Sequence, residues 1–171
     1  MFIEIKEIGP EGLAVDRTIE AFRLPLQEGE AIEVERSHLV GGLARDGGGI
    51  AFSGDIETAA ILSCSRCLER YAQPLDLHFD LLYTTSSERA APGESRMEVE
   101  LITVTPFDGV RIDLSALLAE QIDLGLPLKP LCRPECRGLC PRCGSNRNVA
   151  ACGCPDEETG EPRLRILKDL R

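Results

Sequence analysis

The sequence contains no tryptophan, and only 4% of its residues are aromatic. Proteins that bind single-stranded nucleic acids by stacking present several aromatic side chains to the bases. The composition therefore argues against a binding surface built from stacked aromatics. Histidine is also scarce: the two histidines, His38 and His78, do not neighbour a cysteine motif. We expect both to be surface residues rather than metal ligands or catalysts.

Targeting segments and common catalytic motifs are also missing. No apolar run approaches the roughly 20 residues of a membrane-spanning helix. The N-terminal stretch "MFIEIKEIGPEG" lacks the apolar centre of a secretory signal, so we expect a cytoplasmic protein with no membrane association. The chain has no P-loop, dinucleotide-binding fingerprint or Gly-x-Ser-x-Gly motif, and therefore no small-molecule substrate is evident.

Charge is distributed unevenly along the 171 residues. Residues 1–128 contain 10 basic and 23 acidic residues, a net formal charge of −13, whereas residues 129–171 contain 9 and 6, a net charge of +3. Between positions 129 and 148 there are five basic residues and one acidic residue, Glu135. A basic segment attached to an acidic body is a recognised indication of contact with nucleic acid.

The first hundred residues alternate apolar and polar side chains in a way that predicts β-strands. Residues 50–62 and 71–84 predict a long antiparallel pair with Cys64 and Cys67 near its connection. The stretch "MEVELITVT" predicts another strand. Residues 114–124 predict a helix capped by Asp113 or Ser115. The fold class expected is α+β, a mostly antiparallel β body with one main helix.

The domain organisation expected is a β-rich body over residues 1–128 and a basic, cysteine-rich, zinc-binding tail over residues 129–171. Leucines at three-residue spacing in "PRLRILKDLR" predict that the tail ends in a short helix that docks on the body.

Six of the eight cysteines lie in the tail: Cys132, Cys136, Cys140, Cys143, Cys152 and Cys154. Cytosolic thiols stay reduced, so this clustering favours a metal site over disulfides. The segment "CPRCG", from Cys140 to Gly144, has the form of a zinc knuckle. A tetrahedral Zn²⁺ needs four ligands, and the spacing does not decide which other cysteines complete the site.

The tail has very little else to hold it together. From residue 129 to residue 162 the large aliphatic residues are Leu131, Leu139 and Val149. Three such side chains bury too little apolar surface to offset the conformational entropy of ordering the segment. Coordination of zinc supplies folding free energy directly, so the tail is expected to depend on the metal.

Cys64 and Cys67 form a second Cys-x-x-Cys pair, "SCSRCLE", between two predicted strands. The pair can be half of another zinc site completed by two tail cysteines, since eight cysteines suffice for two sites of four. It can also be a redox pair, or simply a tight turn with buried thiols. The sequence leaves these alternatives open.

Several segments together resemble the YceD family, the large ribosomal RNA subunit accumulation proteins. The resemblance runs from about Cys64 to the C-terminus and lies in "SCSRCLERY", "IDLSALLAEQIDLGLPLKPLC", "CRGLCPRCGSNRN", "CGC" and "EPRLRILKDL". It implies a role in the accumulation of large-subunit ribosomal RNA, through precursor processing or assembly. It implies no enzymatic activity.

The leading hypothesis is a cytoplasmic ribosome-biogenesis factor that binds ribosomal RNA, large-subunit ribosomal proteins, or both, without catalysis. Arginine suits phosphate because its planar fork donates two parallel hydrogen bonds. The candidate RNA-binding residues are Arg66, Lys129, Arg133, Arg137, Arg142 and Arg147. The alternative is a thiol-redox or zinc-dependent enzyme, or a zinc-sensing switch. A catalytic zinc would keep an open coordination position and a nearby general base.

Overall fold

The computed structural model describes residues 1–26, 31–46, 49–85 and 103–154. Within these ranges the chain forms nine strands and one α-helix. The strands are β1 (Phe2–Glu4), β2 (Leu13–Ile19), β3 (Phe22–Pro25), β4 (Ala31–Val34), β5 (Ser37–Asp46), β6 (Gly49–Ser63), β7 (Arg70–Thr84), β8 (Thr103–Pro106) and β9 (Arg111–Asp113), and the helix α1 is Leu114–Gly125. Most of the predicted strand "MEVELITVT", and all of the predicted C-terminal helix, lie outside the described residues.

The longest element is the hairpin of β6 and β7. Its antiparallel register runs without a break from the pair of Ile50 and Tyr83 to the pair of Ser63 and Arg70. Side chains alternate between a buried and an exposed face along both strands, as the period of two requires. The predicted long antiparallel pair is confirmed, and it carries Cys64 and Cys67 at its turn.

The remaining strands extend the sheet on both sides of this hairpin. Two strands pair with the edge of β6 that faces away from β7. Strand β5 pairs with residues 49–57 of β6, and β4 pairs with Ala60 and Ile61 of β6. Strands β2 and β3 add to β5 and β4 respectively, and β8 lies parallel to the end of β7. The predicted fold class, a mostly antiparallel body with one helix, is confirmed.

Two glycines allow β5 and β6 to approach closely. Gly41 and Gly54 lie opposite each other in the register. A Cβ atom on Gly54 would lie 2.4 Å from the carbonyl oxygen of Val40, and one on Gly41 would lie 2.5 Å from that of Ser53. Only glycine fits there. Beside them, the rings of Phe52 and Phe79 pack edge to face with centroids 5.1 Å apart.

Helix α1 closes the core over β7 and the small β1–β9 sheet. Its N-cap is Asp113, whose carboxylate accepts a hydrogen bond of 2.9 Å from the backbone N–H of Ser115. The helix buries the predicted face, formed by Leu114, Leu117, Leu118 and Ile122. The predicted helix and its cap are confirmed. In the part of the chain that the structure describes, no helix is both long enough and apolar enough to traverse a bilayer.

The outer face of the sheet is charged. Asp55, Asp76 and Asp80 are exposed there, and His78 bridges two of them. Its Nδ1 lies 2.8 Å from a carboxylate oxygen of Asp55 and its Nε2 lies 3.2 Å from one of Asp80. Both histidines are exposed, as predicted.

Candidate metal centres

The eight cysteines come together in two groups of four. The first cluster consists of Cys64, Cys67, Cys132 and Cys136, and the second cluster consists of Cys140, Cys143, Cys152 and Cys154. Within each cluster, all four Sγ atoms lie within 4.8 Å of one another. The structure thus selects among the alternatives that the spacing leaves open: the pair on the body meets two tail cysteines, and the knuckle meets the Cys-x-Cys pair.

The sulfur positions fit a tetrahedral metal ion. Sγ of Cys64 lies 3.7 Å from Sγ of Cys136, and Sγ of Cys67 lies 3.8 Å from Sγ of Cys132. Zinc–sulfur bonds of about 2.3 Å place tetrahedral sulfurs about 3.8 Å apart. All eight cysteines are free thiols. Both clusters could therefore hold a metal ion.

The two Cys-x-x-Cys pairs adopt the same turn. The N–H of Leu68 donates to the carbonyl of Cys64, and the N–H of Gly144 donates to the carbonyl of Cys140, each at 2.9 Å. The residue after the second cysteine is left-handed in both turns, with φ of 63° at Leu68 and 72° at Gly144. Glycine adopts this conformation freely, whereas leucine is strained in it.

Several donors approach the sulfurs and favour their ionised forms. The backbone N–H of Arg66 lies 3.5 Å from Sγ of Cys64, and the amide nitrogen of Asn148 lies 3.3 Å from Sγ of Cys136. The backbone N–H of Cys132 lowers the pKa of Cys64 to about 6. In the second cluster, the hydroxyl of Ser145 lies 3.1 Å from Sγ of Cys143 and lowers the pKa of that thiol to about 6.

Other thiols of the same clusters resist ionisation. Burial raises the pKa of Cys132, and the hydrogen bond with Cys143 raises the pKa of Cys154. Crowded thiolates repel one another, so each cluster combines sulfurs that favour charge with sulfurs that oppose it. A divalent cation removes this opposition because it neutralises the developing charge. The donor chemistry therefore fits a cation.

Arg66 joins the tail to the hairpin. Its Nη1 donates to the carbonyl oxygens of Pro134, at 3.1 Å, and Cys136, at 2.9 Å. Its own carbonyl accepts the N–H of Leu139 at 3.1 Å. Gly138 packs against that carbonyl with φ of 71°, and a Cβ atom there would lie 2.9 Å from it. The guanidinium predicted to bind RNA is thus engaged with tail carbonyls, and its contact with RNA stays a prediction.

Further contacts surround the first cluster. The N–H of Ser65 donates to the carbonyl of Pro130 at 2.8 Å, and the amide of Asn146 donates to the carboxylate of Glu69 at 3.3 Å. Tyr71 and Leu131 pack against the buried cysteines. The described part of the tail is therefore held on the turn between β6 and β7.

The structure groups some of the predicted basic residues and separates others. Arg137 and Arg147 line two adjoining hollows, of about 410 Å³ and 290 Å³, and Arg133 lines the smaller one. Lys129 and Arg142 are exposed, and neither lines these hollows.

Sequence reasoning missed two side chains that support the sulfurs, Ser145 and Asn148. Both stand in "CGSNRN", directly after the knuckle, where short polar side chains can turn back onto a thiolate. Their position directly after the knuckle is the feature of the sequence from which this support could have been predicted. Gly138 was also missed, because its requirement comes from the close approach of Arg66 rather than from its neighbours in sequence.

Fold and clusters together define a class of protein: a mostly antiparallel β sheet with one helix, to which a cysteine-rich tail is fastened by a shared cluster of four thiols. The family model described as "Large ribosomal RNA subunit accumulation protein YceD" matches residues 52–171. The chain belongs to this family, as the resemblance predicted.

Relatives of this chain are found in plants and in mycobacteria. A maize protein named large ribosomal RNA subunit accumulation protein YCED homolog 1, chloroplastic, is 26% identical over 66% of this chain and 46% of its own length. Its Arabidopsis thaliana namesake is 25% identical over 64% of this chain and 40% of its own length. An uncharacterized Mycobacterium tuberculosis protein is 30% identical over 56% of this chain and 44% of its own length. The chain thus spans less than half of each of these relatives. No solved structure matches it.

Proposed function

We propose that this chain is a cytoplasmic ribosome-biogenesis factor that supports the accumulation or processing of large-subunit ribosomal RNA. It acts as a non-catalytic module that binds ribosomal RNA or large-subunit ribosomal proteins. The family description connects its members with accumulation of the large ribosomal RNA subunit. The first cluster is the observation that supports this molecular role, because it joins the arginine-containing tail to a body with a net negative charge.

Zinc is the metal proposed for both clusters. Four cysteines with no other ligand form the closed set typical of structural zinc, whereas a catalytic zinc keeps one position for water or substrate. When bound, the metal supplies a cross-link, which in the first cluster joins the hairpin turn to the tail. Cys64, Cys67, Cys132 and Cys136 would hold one ion, and Cys140, Cys143, Cys152 and Cys154 would hold the other. This closed donor set favours a structural role over the enzyme alternative.

Electrostatics favour the tail as the contact surface. Residues 1–128 carry a net charge of −13, and such a body repels the phosphates of RNA. The basic residues of the tail, Lys129, Arg133, Arg137, Arg142 and Arg147, offset this repulsion locally. If they neutralise phosphates, affinity for RNA falls steeply as salt is added, because bound counterions are released on association. Binding that does not change with salt points instead to a protein partner.

The deciding experiment is crosslinking in cells with a tagged full-length chain, followed by identification of the recovered RNA and proteins. We expect large-subunit ribosomal RNA, large-subunit ribosomal proteins, or both, to be enriched over a chain in which Cys64 and Cys67 are both serine. Recovery of neither class contradicts the proposal.

Metal analysis and thiol titration distinguish a structural role from redox chemistry. We expect two zinc ions per chain and eight thiols that become reactive only after a chelator is added. Fast-reacting thiols in the metal-loaded protein would favour the redox alternative.

A further inference from the structure

We propose that Arg137 and Arg147 form a clamp for one phosphodiester group of RNA, in the two hollows beside the second cluster. This inference rests on the proposed function. It assigns the contact with one RNA phosphodiester to a single pair of arginines within the larger set of basic residues. We call the pair the arginine clamp.

Backbone hydrogen bonds hold the segments that contain the two arginines next to each other. The N–H of Arg137 donates to the side-chain oxygen of Asn148 at 2.8 Å, and the N–H of Arg147 donates to the carbonyl of Gly138 at 2.9 Å. Next to them, Leu139 and Asn146 form an antiparallel bridge. The two backbone segments therefore lie side by side, and Cys140 and Cys143 of the second cluster lie in the loop between them. A clamp whose backbone is already ordered loses less conformational entropy on binding.

The shape of the site suits a small group. Both arginines line the larger hollow, of about 410 Å³, with Ala151, Cys152 and Cys154, and both line the smaller hollow, of about 290 Å³, with Arg133, Glu135 and Asn148. Pockets for whole small molecules occupy about 300–1,000 Å³. Hollows at the lower end of this range accommodate a phosphate and its adjoining sugar rather than a cofactor.

The charges favour a phosphate group. Arg133, Arg137 and Arg147 line these hollows with a single carboxylate, that of Glu135. The excess of basic side chains suits an anion, and the proposed contact with RNA supplies one as a backbone phosphodiester. The planar guanidinium fork matches two phosphate oxygens at once.

RNA fits better here than an acidic protein. A folded acidic protein would bring many carboxylates close to a body with a net charge of −13. A single RNA strand can place one phosphate in the clamp while the rest of the strand extends away from that body.

The test measures fluorescence anisotropy of a labelled, unstructured 20-nucleotide RNA with the full-length, metal-loaded chain over a series of salt concentrations. The variants are Arg137→Gln, Arg147→Gln and their double, with Arg142→Gln as a comparison within the tail because Arg142 lines neither hollow. The control is Arg36→Gln on the body, where Arg36 forms an exposed ion pair with Glu20. We expect each clamp variant to lose roughly tenfold in affinity and to reduce the log–log salt slope by about 0.7. The double variant should lose less than the product of the single losses, because both arginines hold the same phosphate. Arg142→Gln should lose less affinity than either clamp variant, and Arg36→Gln should change affinity less than twofold.

A second pair of variants covers the case in which glutamine disturbs the tail. Arg137→Lys and Arg147→Lys keep the charge but lose the two-pronged hydrogen bonding, so we expect them to retain bound zinc and still lose most of the affinity. Full affinity in both lysine variants overturns the clamp.

Four other results also overturn it, and they separate its failure from that of the proposed function. Equal losses in Arg142→Gln and the clamp variants mean that the tail binds RNA diffusely, which leaves the proposed function standing. Competition by inorganic phosphate as effective as by RNA identifies a free-phosphate site, and stronger competition by poly-glutamate identifies an acidic protein ligand. A wild-type chain that does not bind RNA removes the RNA arm of the proposed function as well.

Discussion

The Sγ atoms of Cys64 and Cys136 lie 3.7 Å apart, although 72 positions separate the two residues in the chain. Cys64 lies in the turn of the long hairpin, whereas Cys136 belongs to the tail. A metal in the first cluster therefore links distant parts of the chain. The second cluster, by contrast, closes a loop entirely within residues 140–154. The loss of each cluster should have a different structural consequence.

Replacing Cys136 by serine is expected to remove one of the two zinc ions proposed for this chain and to release the tail from the hairpin. Native mass spectrometry counts the metal. The amide signals of Ser65 and Leu139, whose N–H groups donate across the joint to Pro130 and Arg66, report the docking. A structural zinc contributes on the order of 10–16 kcal/mol in small zinc-binding peptides, so the effect on the joint should be large.

The matched control is Cys143→Ser in the second cluster. It should also cost one zinc ion, but the Ser65 amide signal should stay where it is in the wild type. Identical spectral changes in the two variants, or two zinc ions retained by both, would contradict the assignment of two separate sites.

Arg66→Gln is expected to loosen the joint while both zinc ions remain bound. The substitution removes the two hydrogen bonds to the carbonyls of Pro134 and Cys136. Hydrogen bonds from a charged group contribute about 1.5–3 kcal/mol, and partial exposure here favours the lower end. Hydrogen exchange at Leu139 should quicken correspondingly. The control is Arg70→Gln, which breaks an exposed ion pair with Glu33 that is screened by solvent and contributes little. Unchanged hydrogen exchange at Leu139 in Arg66→Gln would contradict a positioning role for Arg66.

Local patterns in the sequence predicted the hairpin and the helix because their signals are local. Alternation along residues 50–62 and 71–84 reflects one buried face of the sheet, and the spacing of Leu114, Leu118 and Ile122 reflects one buried face of the helix. In these elements the residues that give the signal are the residues that form the structure.

The pairing of cysteines between clusters could not be predicted in the same way. Whether Cys132 joins Cys64 or Cys140 depends on where the tail runs relative to the hairpin, and no periodicity records that path. Arg66 shows the same limit. Its charge suggested RNA, but its position in the hairpin turn puts the guanidinium against the carbonyls of Pro134 and Cys136.

The pKa of His78 is expected to lie above its ordinary value of 6.5, chiefly because the carboxylate of Asp55 accepts a hydrogen bond from its ring. A histidine whose folded pKa is raised stabilises the fold fully below its unfolded pKa, and this contribution is lost as the pH rises through the folded pKa. NMR titration of the His78 ring measures the shift. Asp55→Asn should lower the pKa, whereas Asp76→Asn, an exposed change on the same strand as His78, should move it less. A larger effect from Asp76→Asn would contradict the assignment of Asp55 as the main cause.

Leu68 holds a left-handed conformation that Gly144 adopts in the matching turn of the second cluster. Among the described residues, Leu68 is the one non-glycine residue with a positive φ, and its side chain is 65% exposed. A leucine in this conformation costs roughly 1–2 kcal/mol, while a glycine adds about 0.4–1 kcal/mol of entropy to the unfolded chain. Leu68→Gly should therefore stabilise the metal-loaded protein by up to about 1.5 kcal/mol.

The complementary substitution, Gly144→Ala, should destabilise the protein by up to about 1.5 kcal/mol, because the strain of a left-handed alanine exceeds the conformational entropy that alanine removes from the unfolded chain. No heavy atom lies within 4 Å of the position a Cβ would take at Gly144, so backbone strain is the cause being tested. Denaturant unfolding with excess zinc, together with competition by a chelator, measures both variants. If Leu68→Gly instead loses stability, the exposed leucine makes contacts that outweigh its strain, and the two turns are not equivalent. Opposite signs for the two substitutions would show that the same backbone geometry governs both turns, since one substitution removes strain from a left-handed residue and the other introduces it.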